Sequence, residues 1–89
     1  MDASETRFRI KQCIGFLEGY RGFSPMVDDA IESLRVMDEC VAEPTPEKIR
    51  DSRARLGRLA QDIGPYREYV PFLSDNLDAL VRWFEEAGA

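Results

Sequence analysis

Chemistry in this sequence would have to come from its cysteines, its carboxylates or its arginines, because the chain contains no histidine. The missing imidazole excludes histidine acid–base catalysis, Ser-His and Cys-His nucleophile pairs, and the usual zinc sites. Cys13 and Cys40 lie on separate predicted helices and match no CxxC pair or other metal-ligand spacing. We expect both to be buried free thiols, with no metal and no cofactor bound.

The carboxylates could in principle supply a general acid and a general base. The candidates are Asp38 and the group formed by Asp28, Asp29 and Glu32. Such chemistry requires a pocket that shifts a pKa, and nothing in the sequence indicates one. Glycine-rich phosphate loops, the GxSxG nucleophile motif and HExxH are also absent. We therefore predict a protein that is not an enzyme, with these carboxylates in ion pairs or near helix N-termini.

The third predicted helix carries a group of basic side chains that could contact phosphates. They are Lys48, Arg50, Arg53, Arg55 and Arg58. At helical spacing these residues spread around the cylinder, and Asp51–Arg55 and Arg58–Asp62 are spaced as i, i+4 ion pairs. The net charge of −5 also disfavours nucleic acid. We expect a solvent-exposed, salt-bridged helix, and we keep nucleic-acid or nucleotide binding through Lys48, Arg50, Arg55 and Arg58 as the alternative.

The length and composition predict one helical domain over residues 1–89. At 44% hydrophobic and 33% charged, the chain is typical of globular proteins rather than disordered ones. No apolar run approaches the roughly 20 residues that a bilayer span needs, so we expect no membrane partner. The charged segment 1–9 lacks the apolar core of an export signal, and we expect a cytoplasmic location.

The first predicted helix begins near Asp2 or Ser4 and has a glycine-rich outer side. Its predicted inward face consists of Ile10, Cys13, Ile14, Leu17 and Tyr20. Gly15, Gly19 and Gly22 lie roughly opposite, near Phe8, and a glycine inside a helix costs up to about 1 kcal/mol relative to alanine. These glycines could form a notch for another backbone, for example across a dimer. Alternatively the helix frays after Leu17 and they belong to its end, which is the explanation we favour.

The starts of the second and third helices are marked by the same pair of residue types. Ser24-Pro25 and Thr45-Pro46 each combine an N-cap side chain with proline at the first helical position. The predicted inward face of the second helix contains Val27, Ala30, Ile31, Leu34, Met37 and Val41. That of the third helix contains Ile49, Leu56, Leu59, Ala60 and Ile63.

Asp38 interrupts the apolar face of the second helix, where a carboxylate is costly unless it has a partner. The connection through Pro44 is so short that the second and third helices must form an antiparallel hairpin. In that register Asp38 lies within one turn of Arg50 and Arg53. We predict an ion pair or a hydrogen bond between Asp38 and one of these arginines.

The C-terminal quarter of the chain has the most extensive apolar pattern. From Pro65 to Glu86 apolar residues follow two adjacent lines at helical spacing, covering more than half of the circumference. The first line contains Tyr66, Tyr69, Val70, Leu73, Leu77, Leu80, Val81 and Phe84, and the second contains Phe72, Asn76, Ala79 and Trp83. Pro71 would cost about 3 kcal/mol inside a helix. We expect a helix kinked at Pro71, or alternatively a short helix over 65–70 and a second one starting at Pro71.

Four helices joined by short turns predict an all-α fold, a small antiparallel up-down-up-down four-helix bundle. Such a bundle cannot easily enclose all of its aromatic residues, so Phe72 and Trp83 could belong to the core or to an interface. With Phe8, Gly15 and Gly19 they form our predicted partner interface. We expect a small protein–protein interaction module, acting as an adaptor, an inhibitor or a small subunit. Its partner would be another protein or a second copy, with a homo-oligomer expected.

Overall fold

The computed structural model describes residues 2–87, which form four α-helices and one short 3-10 helix. The α-helices are α1 (Ala3–Glu18), α2 (Pro25–Ala42), α3 (Pro46–Ile63) and α4 (Pro71–Ala87), and the 3-10 helix covers Gly64–Tyr66. This part of the chain contains no strand. The predicted all-α fold, a small bundle of four helices, is confirmed.

The first three helices begin at the predicted caps. The side chains of Asp2, Ser24 and Thr45 each accept a hydrogen bond from a backbone N–H of the first turn, at 2.8, 3.1 and 3.2 Å respectively. Proline follows the cap directly in α2 and α3, where its missing N–H costs nothing. These local interactions fix the starts of the helices without help from the rest of the fold.

Each helix packs against two neighbours, so the four axes form a square. α1 and α3 both contact α2 and α4. Successive helices run in opposite directions, which places the α1–α2 and α3–α4 connections at the same end of the bundle. The largest fully buried apolar side chains fill the centre: Ile10, Leu34, Met37, Leu73, Leu77, Leu80 and Phe84. Tyr20 is the exception to the predicted inward face of α1, since about half of its surface is exposed.

The fourth helix begins at Pro71 and does not run through it. The kinked helix from Pro65 that we expected first is not formed, and the alternative of a break before Pro71 is correct. Residues 65–70 form a 3-10 helix and a turn rather than a short α-helix. At a helix start Pro71 has no intrahelical hydrogen bond to lose, so the cost of an interior proline is avoided. One consequence is that Tyr66 and Tyr69 leave the helical face and become exposed.

Candidate functional site

The aromatic residues of this protein lie mostly at its surface. Of the nine in the sequence, Phe84 alone is fully buried among residues 2–87. Phe16 and Trp83 are partly buried and pack against the core. The remaining six are exposed: Phe8, Tyr20, Phe23, Tyr66, Tyr69 and Phe72. An exposed set of this size is unusual in a small monomer, where large apolar patches mark interaction sites.

Most of these rings lie at one end of the bundle, which we call the aromatic end. It consists of Tyr20 and Phe23 near the α1–α2 connection, Tyr66 and Tyr69 in the α3–α4 connection, and Phe72 at the start of α4. Phe16 links two of them, because its ring centroid is 5.6 Å from that of Tyr20 and 5.7 Å from that of Phe72. Sequence reasoning named Phe72 as an interface candidate but did not bring it together with the rings of the two connections.

A groove between α1 and α4 continues from the aromatic end toward the other end of the bundle. Phe8, Gln12, Phe72 and Asn76 line its first part. Trp83 lines its second part together with Ala79, Arg82 and Glu86, and both parts share Glu5 and Arg9. The Arg9 guanidinium donates to the Asn76 side-chain oxygen at 3.1 Å and lies 3.5 Å from Glu5. The floor of this α1–α4 groove is therefore bridged by polar side chains, with aromatic rings on both sides.

The predicted interface residues divide into surface and core. Phe8 and Phe72 are both exposed and line the same groove. Trp83 is half-buried, and its ring meets Phe84 edge to face at a centroid distance of 4.9 Å. The question that the sequence left open is thus answered differently for the two residues: Phe72 lies at the surface, whereas Trp83 mostly completes the core.

The glycines of α1 also divide into two groups. Gly19 is the C-cap residue, and Gly22 has a positive φ of 83°, which side-chain-bearing residues rarely adopt. For these two, the explanation that they end the helix is correct. Gly15, in contrast, lies inside α1, is exposed, and would place a Cβ with no atom within 4 Å. No close approach within the chain requires glycine at this position.

Asp38 has a different partner from the predicted one. Its carboxylate accepts hydrogen bonds from Arg7 of α1, with Nε 3.0 Å from Oδ1 and Nη2 3.3 Å from Oδ2. The predicted partners Arg50 and Arg53 on α3 do not bind it. Asp38 lies on the side of α2 that faces α1, which the pattern of α2 alone could not distinguish from the side that faces α3. The hydrogen bond to Asp38 raises the pKa of Arg7.

The basic residues of α3 are mostly engaged by the protein itself. Arg53 donates to the backbone carbonyls of Phe84 and Glu85 at the end of α4. Lys48 donates to the backbone carbonyl of Glu43, and Arg55 pairs with Asp51 as predicted. The predicted pair Arg58–Asp62 is not among the ion pairs of residues 2–87.

The groove between α2 and α3 contains the remaining candidates for phosphate binding. Arg55 and Arg58 line it, but so do the three carboxylates of Asp29, Glu32 and Asp62. Arg55 also donates to the hydroxyl of Ser33. Acids therefore outnumber bases on this surface, which disfavours a polyanion.

The titratable groups with shifted pKa values are a buried thiol and members of ion pairs. Cys13 and Cys40 are buried free thiols, and burial raises the pKa of Cys13 to about 12. Hydrogen bonds from Arg21, and further from Arg35, lower the pKa of Glu18 at the surface. Within residues 2–87, no three Cys, Asp or Glu side chains form a group that could hold a metal ion. In the same range, no helix combines the length and the hydropathy that crossing a bilayer requires.

Fold and surface together define a small all-α bundle with an exposed aromatic end and an aromatic-lined groove. Comparison with protein-family models, with curated proteins and with solved structures finds no match for the chain. Function must therefore be inferred from the surface itself.

Proposed function

We propose that this chain is a small non-enzymatic protein-interaction module that associates with itself through its aromatic surface. Within a cell it would act as an adaptor, an inhibitor or a small subunit of a larger assembly. The observation that carries this proposal is the exposure of six of its nine aromatic residues. Aromatic residues are enriched at protein interfaces, where they bury large areas at low cost in conformational entropy.

The arrangement of these rings supports one continuous surface rather than scattered exposure. Phe16 connects Tyr20 to Phe72, and Phe72 shares a groove with Phe8. Of the polar groups between them, Asn76 already has hydrogen-bond partners within the chain, and Arg9 donates through its two Nη atoms to Asn76 and Glu5. The Arg9 Nε has no partner among residues 2–87, but it is already buried, so a partner would not add to its desolvation. A partner could therefore cover this surface at a limited cost in desolvated, unpaired polar groups.

Sedimentation velocity over a wide concentration range tests the proposal. We expect the wild-type chain to associate and the variant F8Q/F72Q to remain monomeric at concentrations where the wild type assembles. The surface control is Ala54→Gln, at an exposed position on α3, and this variant should assemble like the wild type. Circular dichroism confirms that all variants are folded. A wild-type chain that stays monomeric at every concentration would contradict the proposal.

The nucleic-acid alternative has weaker support, because four of the five basic residues of α3 donate to backbone carbonyls or are accompanied by carboxylates. Fluorescence anisotropy with labelled single- and double-stranded DNA at low salt tests it. We expect no binding. Binding that weakens steeply as salt is added would support the alternative instead.

A further inference from the structure

The outer side of α1 carries a glycine, Gly15, that no contact within the chain explains. We define the α1 outer face by Phe8, Gln12, Gly15 and Gly19, all exposed and all on one side of the helix. Gly15 costs the helix about 1 kcal/mol relative to alanine. A methyl group there would meet no atom within 4 Å, so its absence relieves no clash inside the chain. Phe8 lies two turns before Gly15 on the same side of the helix, with 61% of its surface exposed.

The charges around this face decide which partner it suits. The four residues that define it are uncharged, and the charges beside it are of both signs: Glu5, Lys11 and Glu18. Two copies of a chain with net charge −5 repel each other and approach most easily through their least charged sides. A basic partner would instead be drawn to α2, where the acidic residues are concentrated. A face with an uncharged centre and charges of both signs beside it, on an acidic chain, therefore fits a second copy of the same chain.

We propose that two copies form a two-fold symmetric dimer in which their α1 helices cross at Gly15. This inference rests on the proposed self-association and adds its geometry. In a two-fold interface the residue on the axis meets its own copy. Two glycines at that point let the helix axes come to the lower end of the 8–10 Å range of packed helices. Phe8, two turns before the crossing, and Tyr20, beyond it, would then pack beside the partner helix.

The exposed aromatic area could make up a large part of a stable dimer interface of this kind. The exposed rings on α1 and at the aromatic end that a partner on this side could cover are Phe8, Tyr20, Phe23 and Phe72, with exposed fractions of 61%, 52%, 84% and 44%. At about 200 Å² for each aromatic residue, they expose roughly 500 Å². A standard interface buries about 800 Å² on each partner. Complete burial of these rings would supply more than half of that area, and the α1 outer face would supply part of the rest.

Two glycines with free space around their Cβ positions, Gly15 and Gly57, allow a matched substitution test. Gly57 on α3 is also exposed, helical and free of any atom within 4 Å of its Cβ position. Gly15→Arg and Gly57→Arg should both leave the fold intact, as checked by circular dichroism and thermal unfolding. We expect Gly15→Arg to weaken self-association at least tenfold in sedimentation equilibrium, and Gly57→Arg to leave it unchanged. The reverse result would place the interface at the α3–α4 side and overturn the inference.

Disulfide formation provides the second measurement. Cys13 and Cys40 are buried, so a new surface thiol would be the reactive one. We expect Gly15→Cys to form a covalent dimer under mild oxidation much faster than Gly57→Cys, because two copies of position 15 would be adjacent. If the wild type assembles but Gly15→Cys shows no such preference, the geometry is wrong while the proposed function stands. If the wild type does not assemble, the proposed function itself fails.

Discussion

Arg7 and Asp38 join α1 to α2 through a two-pronged contact in which Nε and Nη2 bind the two carboxylate oxygens. The Asp38 side chain keeps only 18% of its surface exposed, whereas Arg7 keeps 39%. A carboxylate that is this enclosed needs a hydrogen-bonding partner, and Arg7 supplies two donors in one plane. The pair therefore fixes how the first helix is placed against the second.

Removing either member of this pair should weaken the fold. We expect Arg7→Met and Asp38→Ala each to lower the Tm by a few degrees. Arg7→Met leaves the Asp38 carboxylate without its two donors, and Asp38→Ala leaves the Arg7 guanidinium without its acceptor. The double variant should lose less than the two single losses combined, as measured by thermal unfolding in a double-mutant cycle. The control is a second cycle in which Arg50→Met replaces Arg7→Met, and we expect no coupling in it. A coupling energy between Asp38 and Arg50 would contradict the observed pairing.

Arg53 should contribute to stability through the end of α4. Its Nη2 and Nε donate to the Phe84 carbonyl at 2.6 and 3.0 Å, where helix carbonyls lack intrahelical partners. A cation at a helix C-terminus is also favoured by the dipole. We expect Arg53→Met to lower the free energy of unfolding by about 1 kcal/mol in urea titrations.

Arg50, three residues earlier on the same helix, is the matched control for Arg53. It is exposed, and Arg50→Met should change the free energy of unfolding by less than about 0.5 kcal/mol. Equal effects of the two substitutions would show that the contact with the end of α4 contributes nothing measurable.

Features that depend on neighbouring residues could be predicted from the sequence. Asp2, Ser24 and Thr45 are caps because each side chain reaches a backbone N–H two or three residues later, and this geometry requires no knowledge of the fold. The i, i+4 spacing of Asp51 and Arg55 likewise predicts their ion pair correctly. The apolar spacing was enough to predict an all-α bundle.

Features that depend on the arrangement of helices in space could not be predicted in the same way. The predicted Asp38 pair was wrong because the apolar pattern of α2 does not say which flank faces α1. The exposure of Tyr69 and Tyr66 follows from the break before Pro71. The apolar helical spacing continues through residues 65–70, so it did not indicate this break. The aromatic end required the topology, since it joins two connections that are far apart in the sequence.

Glu18 should give the fold a pH-dependent contribution. Arg21 donates to it at 2.8 and 2.9 Å and Arg35 at 3.0 Å, and hydrogen bonding to Arg21 is the main cause that lowers its pKa in the folded chain. A carboxyl group with a lowered native pKa stabilises the fold above its unfolded pKa, near 4.3. That stabilisation is lost as the pH falls through the native pKa.

We therefore expect the Tm difference between the wild type and Glu18→Gln to be largest near pH 7 and to shrink below about pH 4.3. High salt should also reduce it, because the ion pairs are exposed to solvent. Glu39→Gln is the control, since Glu39 is exposed and forms no ion pair within residues 2–87. A difference that stays constant from pH 7 to pH 3 would rule out this source of stability.

Ser52 and Thr6 are two fully buried hydroxyl residues in opposite situations. The Thr6 hydroxyl donates to the Asp2 carbonyl at 2.8 Å, whereas the Ser52 hydroxyl has no hydrogen-bond partner among residues 2–87. A buried hydroxyl without a partner carries a desolvation cost that nothing offsets, and alanine is also the better helix former. We expect Ser52→Ala to raise the free energy of unfolding by about 1 kcal/mol. Thr6→Val, which keeps the shape but removes a satisfied hydroxyl, should lower it by a similar amount. Urea unfolding with unchanged m-values would measure both, and a Ser52→Ala variant as destabilised as Thr6→Val would mean that the Ser52 hydroxyl is bonded after all.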